Sequence, residues 1–277
     1  MNPTMKHVLL PSLAFAALLA LLPACSRDNA EAPAVQTDPN RTPDGIRIHG
    51  AELAQWTHDW DAAIELGRAE KRPVLAMFTA SDWNSWHKFV AKTIFNTPIW
   101  KEWLGKKLVL VWINHPNNAA LVPEEYVERN RTLTRQYGAS AFPALLLINA
   151  STRQAYDRYH VTRESSPAEF IAWINRTYAE NQPGGVKAHL SEEDRAALEE
   201  LRAKREPLKK AYEDAVAEAN REYDALKARK ASLSTEELSA WAKASDEKLA
   251  ALKAPVDALD RELDAFYAKV ADSLLAQ

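Results

Sequence analysis

From Val186 to Gln277 the chain contains no glycine, and Ala, Glu, Lys, Leu and Arg dominate. That composition belongs to long helices. It begins directly after Gln182-Pro183-Gly184-Gly185, so the sequence divides there. Leu190-Ser191-Glu192-Glu193-Asp194 reads as a capped helix start. A heptad-like pattern follows through Leu198, Leu201, Leu208, Tyr212, Ala215, Ala219 and Leu226. A second pattern starts at Ser234-Thr235-Glu236-Glu237 and runs through Leu249, Leu252, Val256, Leu259, Leu263, Phe266 and Val270. With a bend at Lys230-Ala231-Ser232-Leu233, residues 187–277 read as an antiparallel, coiled-coil-like hairpin. Each arm would hold about 40 residues and span roughly 60 Å. Pro207 and Pro255 lie equally far from position 231, which puts them at one level and predicts matched kinks or two stacked helix pairs. Acidic and basic residues interleave along the arm, as on a solvated face. Two helices bury little surface alone, so the arm is expected to pack on the rest of the chain or to pair with a second copy as a homo-oligomer.

Residues 47–181 alternate strand and helix patterns, which predicts an α/β layer structure. Ile46-Arg47-Ile48 reads as a short edge strand, and Asp59–Glu70 as a helix with Trp60, Ala63, Ile64 and Leu66-Gly67 near one face. The apolar runs Val74–Phe78, Lys107–Ile113 and Ala144–Ile148 read as buried strands, with a fourth over Gln154–Tyr159. Helices are predicted after Asn84–His87 as far as Phe95, over Glu124–Tyr137 with Gly138 as the stop, and over Ser166–Tyr178 with Pro167 in the first turn.

Two local motifs carry a resemblance. One is a strand followed by Ser81-Asp82-Trp83-Asn84-Ser85-Trp86-His87-Lys88 and a helix. The other is Tyr137-Gly138-Ala139-Ser140-Ala141-Phe142-Pro143-Ala144. Together they resemble a bacterial envelope branch of the thioredoxin superfamily. The resemblance implies a thioredoxin-like fold, a central mixed sheet flanked by helices, followed here by the all-α arm. It also implies two redox thiols at the positions of Asn84 and His87, a cis-proline at Pro143, and a buried aspartate where Met77 stands. In the family, the residue before that proline pairs its backbone with an extended peptide.

The only cysteine is Cys25, outside this unit. Lys6 precedes an apolar run from Val8 to Leu22 that is too short for a comfortable membrane span. The run ends in Leu22-Pro23-Ala24-Cys25, which resembles the lipobox of bacterial lipoproteins. By that resemblance residues 1–24 are a signal peptide and Cys25 carries the lipid anchor, facing the periplasm. Ser26 is not the aspartate that retains some lipoproteins in the inner membrane, which favours the outer membrane. Residues 25–46 have few bulky apolar side chains and read as a tether with a reach of roughly 25 Å.

Thiol–disulfide exchange needs an attacking thiolate. With one cysteine, a dithiol oxidoreductase is not expected, nor any other enzyme. Asn84 is instead suited to cap the helix that follows it. His87, His58 and His115 lack the spacing or clustered partners of a metal site, so neither metal nor cofactor is expected. The net charge of -3 gives no reason to expect a nucleic-acid partner. Seven of the nine tryptophans are Trp56, Trp60, Trp83, Trp86, Trp100, Trp103 and Trp112. Most are expected in the core. Trp83 and Trp86, however, flank the lost thiols, and with Phe142 and Pro143 they predict a peptide-docking surface that works by strand addition. The sequence thus reads as a redox-inactive, lipid-anchored envelope protein that binds a protein or peptide. Two alternatives are a scaffold whose arm carries all partner contacts, and a thiol-independent enzyme using Asn84–His87.

Overall fold

The structure, a computed structural model, describes residues 38–228 and 234–276. The signal peptide, Cys25, most of the tether and the bend at 230–233 lie outside the described residues.

Five strands form one sheet: β1 (Trp56–Thr57), β2 (Val74–Thr79), β3 (Val109–Asn114), β4 (Ala144–Ile148) and β5 (Ala155–Tyr159), in the order β1-β3-β2-β4-β5. The first three neighbours are parallel, whereas β4 runs antiparallel to β2 and β5 antiparallel to β4. The central strands are buried along their whole length, as their continuous apolar runs require. Around the sheet lie α1 (Trp60–Ala69), α2 (Ser85–Val90), α3 (Pro98–Leu104), α4 (Glu124–Gln136) and α5 (Pro167–Glu180). This is the mixed sheet with flanking helices that the thioredoxin resemblance implies.

Side-chain alternation divides the core into two layers. Leu75, Met77, Leu110, Trp112, Leu145 and Leu147 face Val90, Ile94, Phe95, Trp100, Phe170 and Ile174. Ala76, Phe78, Val111, Ile113 and Leu146 face Trp60, Ala63, Ile64 and Leu133 on the other side. In the first layer Phe95, Trp100, Tyr159 and Trp173 all pack their rings on Phe170, which is fully buried.

Several expectations need correction. The edge strand is Trp56–Thr57, not Ile46–Ile48; Arg47 makes single bridges to Arg41 and Thr57 instead. Residues 38–46, read as the end of the tether, are folded onto the domain. Thr42 and Ile46 are buried, and Arg41 reaches Gly45 O and Gln55. The helix after Asn84 widens to a π-turn over Ala91–Phe95. The short helix α3 has no counterpart in the sequence reading, although Thr97 caps it and Pro98 opens it.

The glycine-free tract forms α6 (Glu192–Ala228) and α7 (Thr235–Leu275), each started by the serine the sequence offered, Ser191 and Ser234. Both helices are continuous through Pro207 and Pro255, so there are no stacked short pairs. The cross-pairs Arg205–Asp260, Glu218–Lys248 and Glu222–Trp241 fix an antiparallel register. That register brings the two prolines within about one helical turn of the same level. The base of the arm is not free-standing. Ala271 and Leu275 enter the first core layer, and Leu198, Leu263, Tyr267 and Val270 close over Ala179, Val186 and Leu190. Tyr267 Oη also donates to Glu180 (3.0 Å), and Arg176 pairs with Asp264 (2.6 Å). Residues from Asp38 onward are therefore one compact unit.

Candidate functional site

The strand β2 delivers the chain to a turn at its C-terminal end, where Asn84 begins α2. Asn84 sits in extended conformation, and its Oδ1 accepts from the His87 N–H at 2.9 Å. This is the N-cap that the sequence predicted. Its amide has a second partner that the sequence did not suggest: Nδ2 donates to the Phe142 carbonyl at 3.2 Å. The Phe142–Pro143 bond is cis. One side chain thus ties the helix start to the loop before β4 and supplies one donor to the Phe142 carbonyl.

The β3–α4 loop is tied to the same turn. Asp82 accepts from the N–H groups of Asn117 and Asn118 (2.9 and 2.8 Å), and Trp83 Nε1 donates to the His115 carbonyl at 3.2 Å. His115 stacks on Phe142 with ring centroids 5.1 Å apart, and Phe142 also meets Trp83 at 6.4 Å. Burial and the nearby Arg131 charge lower the His115 pKa. Behind it lies a cavity of about 250 Å³ whose lining includes Pro116, Ala119, Val122 and Arg131.

The two tryptophans of the turn differ from the others in the run. Trp83 is 51% exposed and Trp86 37%, whereas Trp60, Trp100 and Trp112 are buried and Trp56 and Trp103 are half-buried or pack on the core. Trp86 rests on Phe89 and under the Arg163 guanidinium, which is 5.9 Å from its ring. Ser85, between them, is exposed.

His87 does not face solvent with them. It is 6% exposed, its Nδ1 lies 3.0 Å from Thr79 Oγ1, and its ring stands edge-on to Trp112. Burial lowers its pKa. An inward, hydrogen-bonded imidazole is poorly placed as a base for Ser85. Met77 is fully buried in apolar surroundings, so no proton-accepting side chain lies beneath the turn at that position. His58, fully buried after β1, was legible in the sequence only as one of three scattered histidines; burial lowers its pKa to about 4. Among the described residues no three His, Cys, Asp or Glu side chains cluster as a metal site would need.

Replacing Asn84 by Ala removes both bonds of its side chain. The expected cost is about 1–2 kcal/mol of stability, read from urea unfolding. Asn84→Asp keeps the cap acceptor but has no N–H for Phe142, and is expected to fall between the two.

No family model matches the chain. A disulfide bond reductase, DsbH of Chlamydia pneumoniae, is 30% identical over 138 residues, which is 50% of this chain and 77% of DsbH. A solved DsbH oxidoreductase aligns at 25% identity over 53% of this chain and 92% of its own, with a TM-score of 0.41. This chain has a single cysteine and therefore no C-x-x-C pair. With that difference at the turn, the chain belongs to the bacterial thioredoxin-like family of DsbH.

Proposed function

We propose that this protein is a lipid-anchored module of the bacterial cell envelope that binds a protein or peptide through the surface of Trp83, Trp86 and Phe142, without thiol chemistry. The observation that carries this reading is the exposure of two large aromatic side chains at the one turn where the family's thiols belong. Exposed tryptophans are costly to leave in water and are the residue type most enriched at binding hot spots. Disulfide reduction, the activity named for DsbH, requires a dithiol that this chain lacks. The anchor at Cys25, the periplasmic face and the outer-membrane location rest on the Leu22–Cys25 motif and on Ser26.

The test is co-purification of the intact protein from its own envelope, beside a Trp83→Ala/Trp86→Ala variant at equal abundance. Both side chains are exposed, so folding is expected to be preserved. Loss of a captured partner by about tenfold or more in the variant is the expected result, on the scale of a hot-spot truncation.

A second reading has its own observation. At the distal end of the arm Tyr223 and Leu238 are exposed, and Tyr223 stacks on Trp241 at 5.8 Å. That end is a rival contact surface, for a partner or for a second copy of the chain. Capture unaffected by the tryptophan substitutions favours it.

A further inference from the structure

At the end of β2 away from Asn84, a strand of six residues or roughly 20 Å distant, lies an open cavity of about 190 Å³. It is enclosed by the last turn of α1, the β4–β5 turn and the end of α5. Arg68, Lys71 and Arg72 line it together with Ser151, Tyr156 and Tyr178, and its lining holds no aspartate or glutamate among the described residues. None of the three cations forms an ion pair among the described residues. Arg72 Nε and Nη1 are buried, and neither has a hydrogen-bond partner among the described residues. Buried guanidinium donors without an acceptor are costly, and native proteins seldom keep them. They do not cap α1 either, since they reach no carbonyl; the Gly67 carbonyl accepts from the backbone N–H of Arg72 instead, at 2.8 Å. Lys71 adds a second sign. Its φ is 53°, in the left-handed region that glycine adopts far more easily, so a cation stands where the backbone favours a glycine. The walls are firmly held. A Cβ at Gly67 would come within 2.9 Å of Ala150 and Val74, and Asn149 Oδ1 accepts from the N–H groups of Ser151 (2.8 Å) and Thr152 (3.1 Å).

We infer that this cavity is an oxyanion site that takes a phosphate group, either free or in the headgroup of an anionic lipid. Phosphate oxygens supply the acceptors that the buried donors of Arg72 lack, and guanidinium is the cation best matched to them. The charge of the group is met by Arg68, Lys71 and Arg72 with no competing carboxylate in the lining. The site is independent of the aromatic surface at the other end of β2 and does not rest on the binding reading above.

The experiment is isothermal titration of the full chain, carrying Cys25→Ser, with inorganic phosphate at constant ionic strength in chloride. Binding with a Kd of about 1 mM or tighter is expected. Arg72→Met is expected to bind at least about tenfold more weakly. In phosphate-free buffer the same variant is expected to resist urea at least as well as its parent, because it removes a buried cation that has no partner. Lys71→Gly relieves the positive φ, so it is expected to fold about as stably and yet to bind phosphate about threefold or more weakly. Absence of binding up to about 20 mM phosphate overturns the inference and leaves water as the partner of Arg72. Equal binding by the parent and Arg72→Met overturns it too. So does an Arg72→Met chain that loses stability equally with and without phosphate, since the guanidinium would then serve the fold alone. Flotation with phosphatidylglycerol vesicles, beside phosphatidylcholine vesicles, separates the two sources of the group. Flotation that depends on Arg72 identifies a lipid headgroup, and phosphate binding without flotation identifies a soluble phosphate.

Discussion

Placing cysteines at both former thiol positions, Asn84→Cys/His87→Cys, is expected to give the chain a redox couple it does not have. In a Cys25→Ser background these are the only two thiols. The backbone there already has the geometry of a helix start, with Asn84 extended and Ser85 opening α2. A cysteine at position 84 would stand at a helix N-terminus, the setting that lowers a thiol pKa and favours attack. A cysteine at position 87 would take the place of a side chain only 6% exposed, which suits a shielded, resolving thiol. Mild oxidation is expected to remove both free thiols without forming dimers. Disulfide-reducing turnover with a chemical reductant is expected at least about tenfold above the unsubstituted chain. It should still be slow, because Met77 offers no proton acceptor beneath the turn. Intermolecular disulfides, or thiols that stay reduced, would mean that positions 84 and 87 do not face each other as the family's pair does.

The second large effect is on stability. His58 is fully buried, and burial, only partly offset by the Asp44 charge and reinforced by Arg129, brings its pKa from the ordinary 6.5 to about 4. The folded chain therefore holds His58 neutral where an unfolded chain would protonate it. Its contribution is complete above about pH 6.5 and is lost as the pH falls toward 4. One pKa unit is worth about 1.4 kcal/mol, so the loss approaches about 3 kcal/mol. His87 is shifted in the same direction by burial and adds to the slope. The check is urea unfolding at several pH values, wild type beside His58→Leu, which cannot titrate at that position. The variant should lose the part of the slope between pH 6.5 and 4 that belongs to His58. An unchanged slope would mean that the ring is solvated in the folded chain.

Much of the fold was legible because its signals are local. The runs Val74–Phe78 and Ala144–Ile148 are too apolar for anything but buried strands, and Asp59, Ser166 and Ser234 each stand where a helix needs an acceptor. The parts that escaped depend on distant partners. Trp56–Thr57 is too short to show a period, and is a strand only because β3 pairs with it. Residues 38–46 look like tether by composition, yet Ile46 is buried in the first core layer and Arg41 is held by Gln55. At the site, the motif located the turn, Pro143 and the two tryptophans. It did not show that Asn84 would also bind Phe142, a contact across 58 residues of sequence. Nor did it show that His87 would turn inward to Thr79, since a histidine beside a serine reads equally well as a surface group.

The central claim is that partners meet this chain at the turn of the lost thiols. The most direct measurement is photo-crosslinking in the native envelope from a photoreactive residue at Ser85, exposed between the two tryptophans, compared with one at Leu238 on the arm. Adducts from position 85, abolished by Trp83→Ala/Trp86→Ala, are the result predicted. Adducts confined to position 238 would contradict it and move the function to the helical arm.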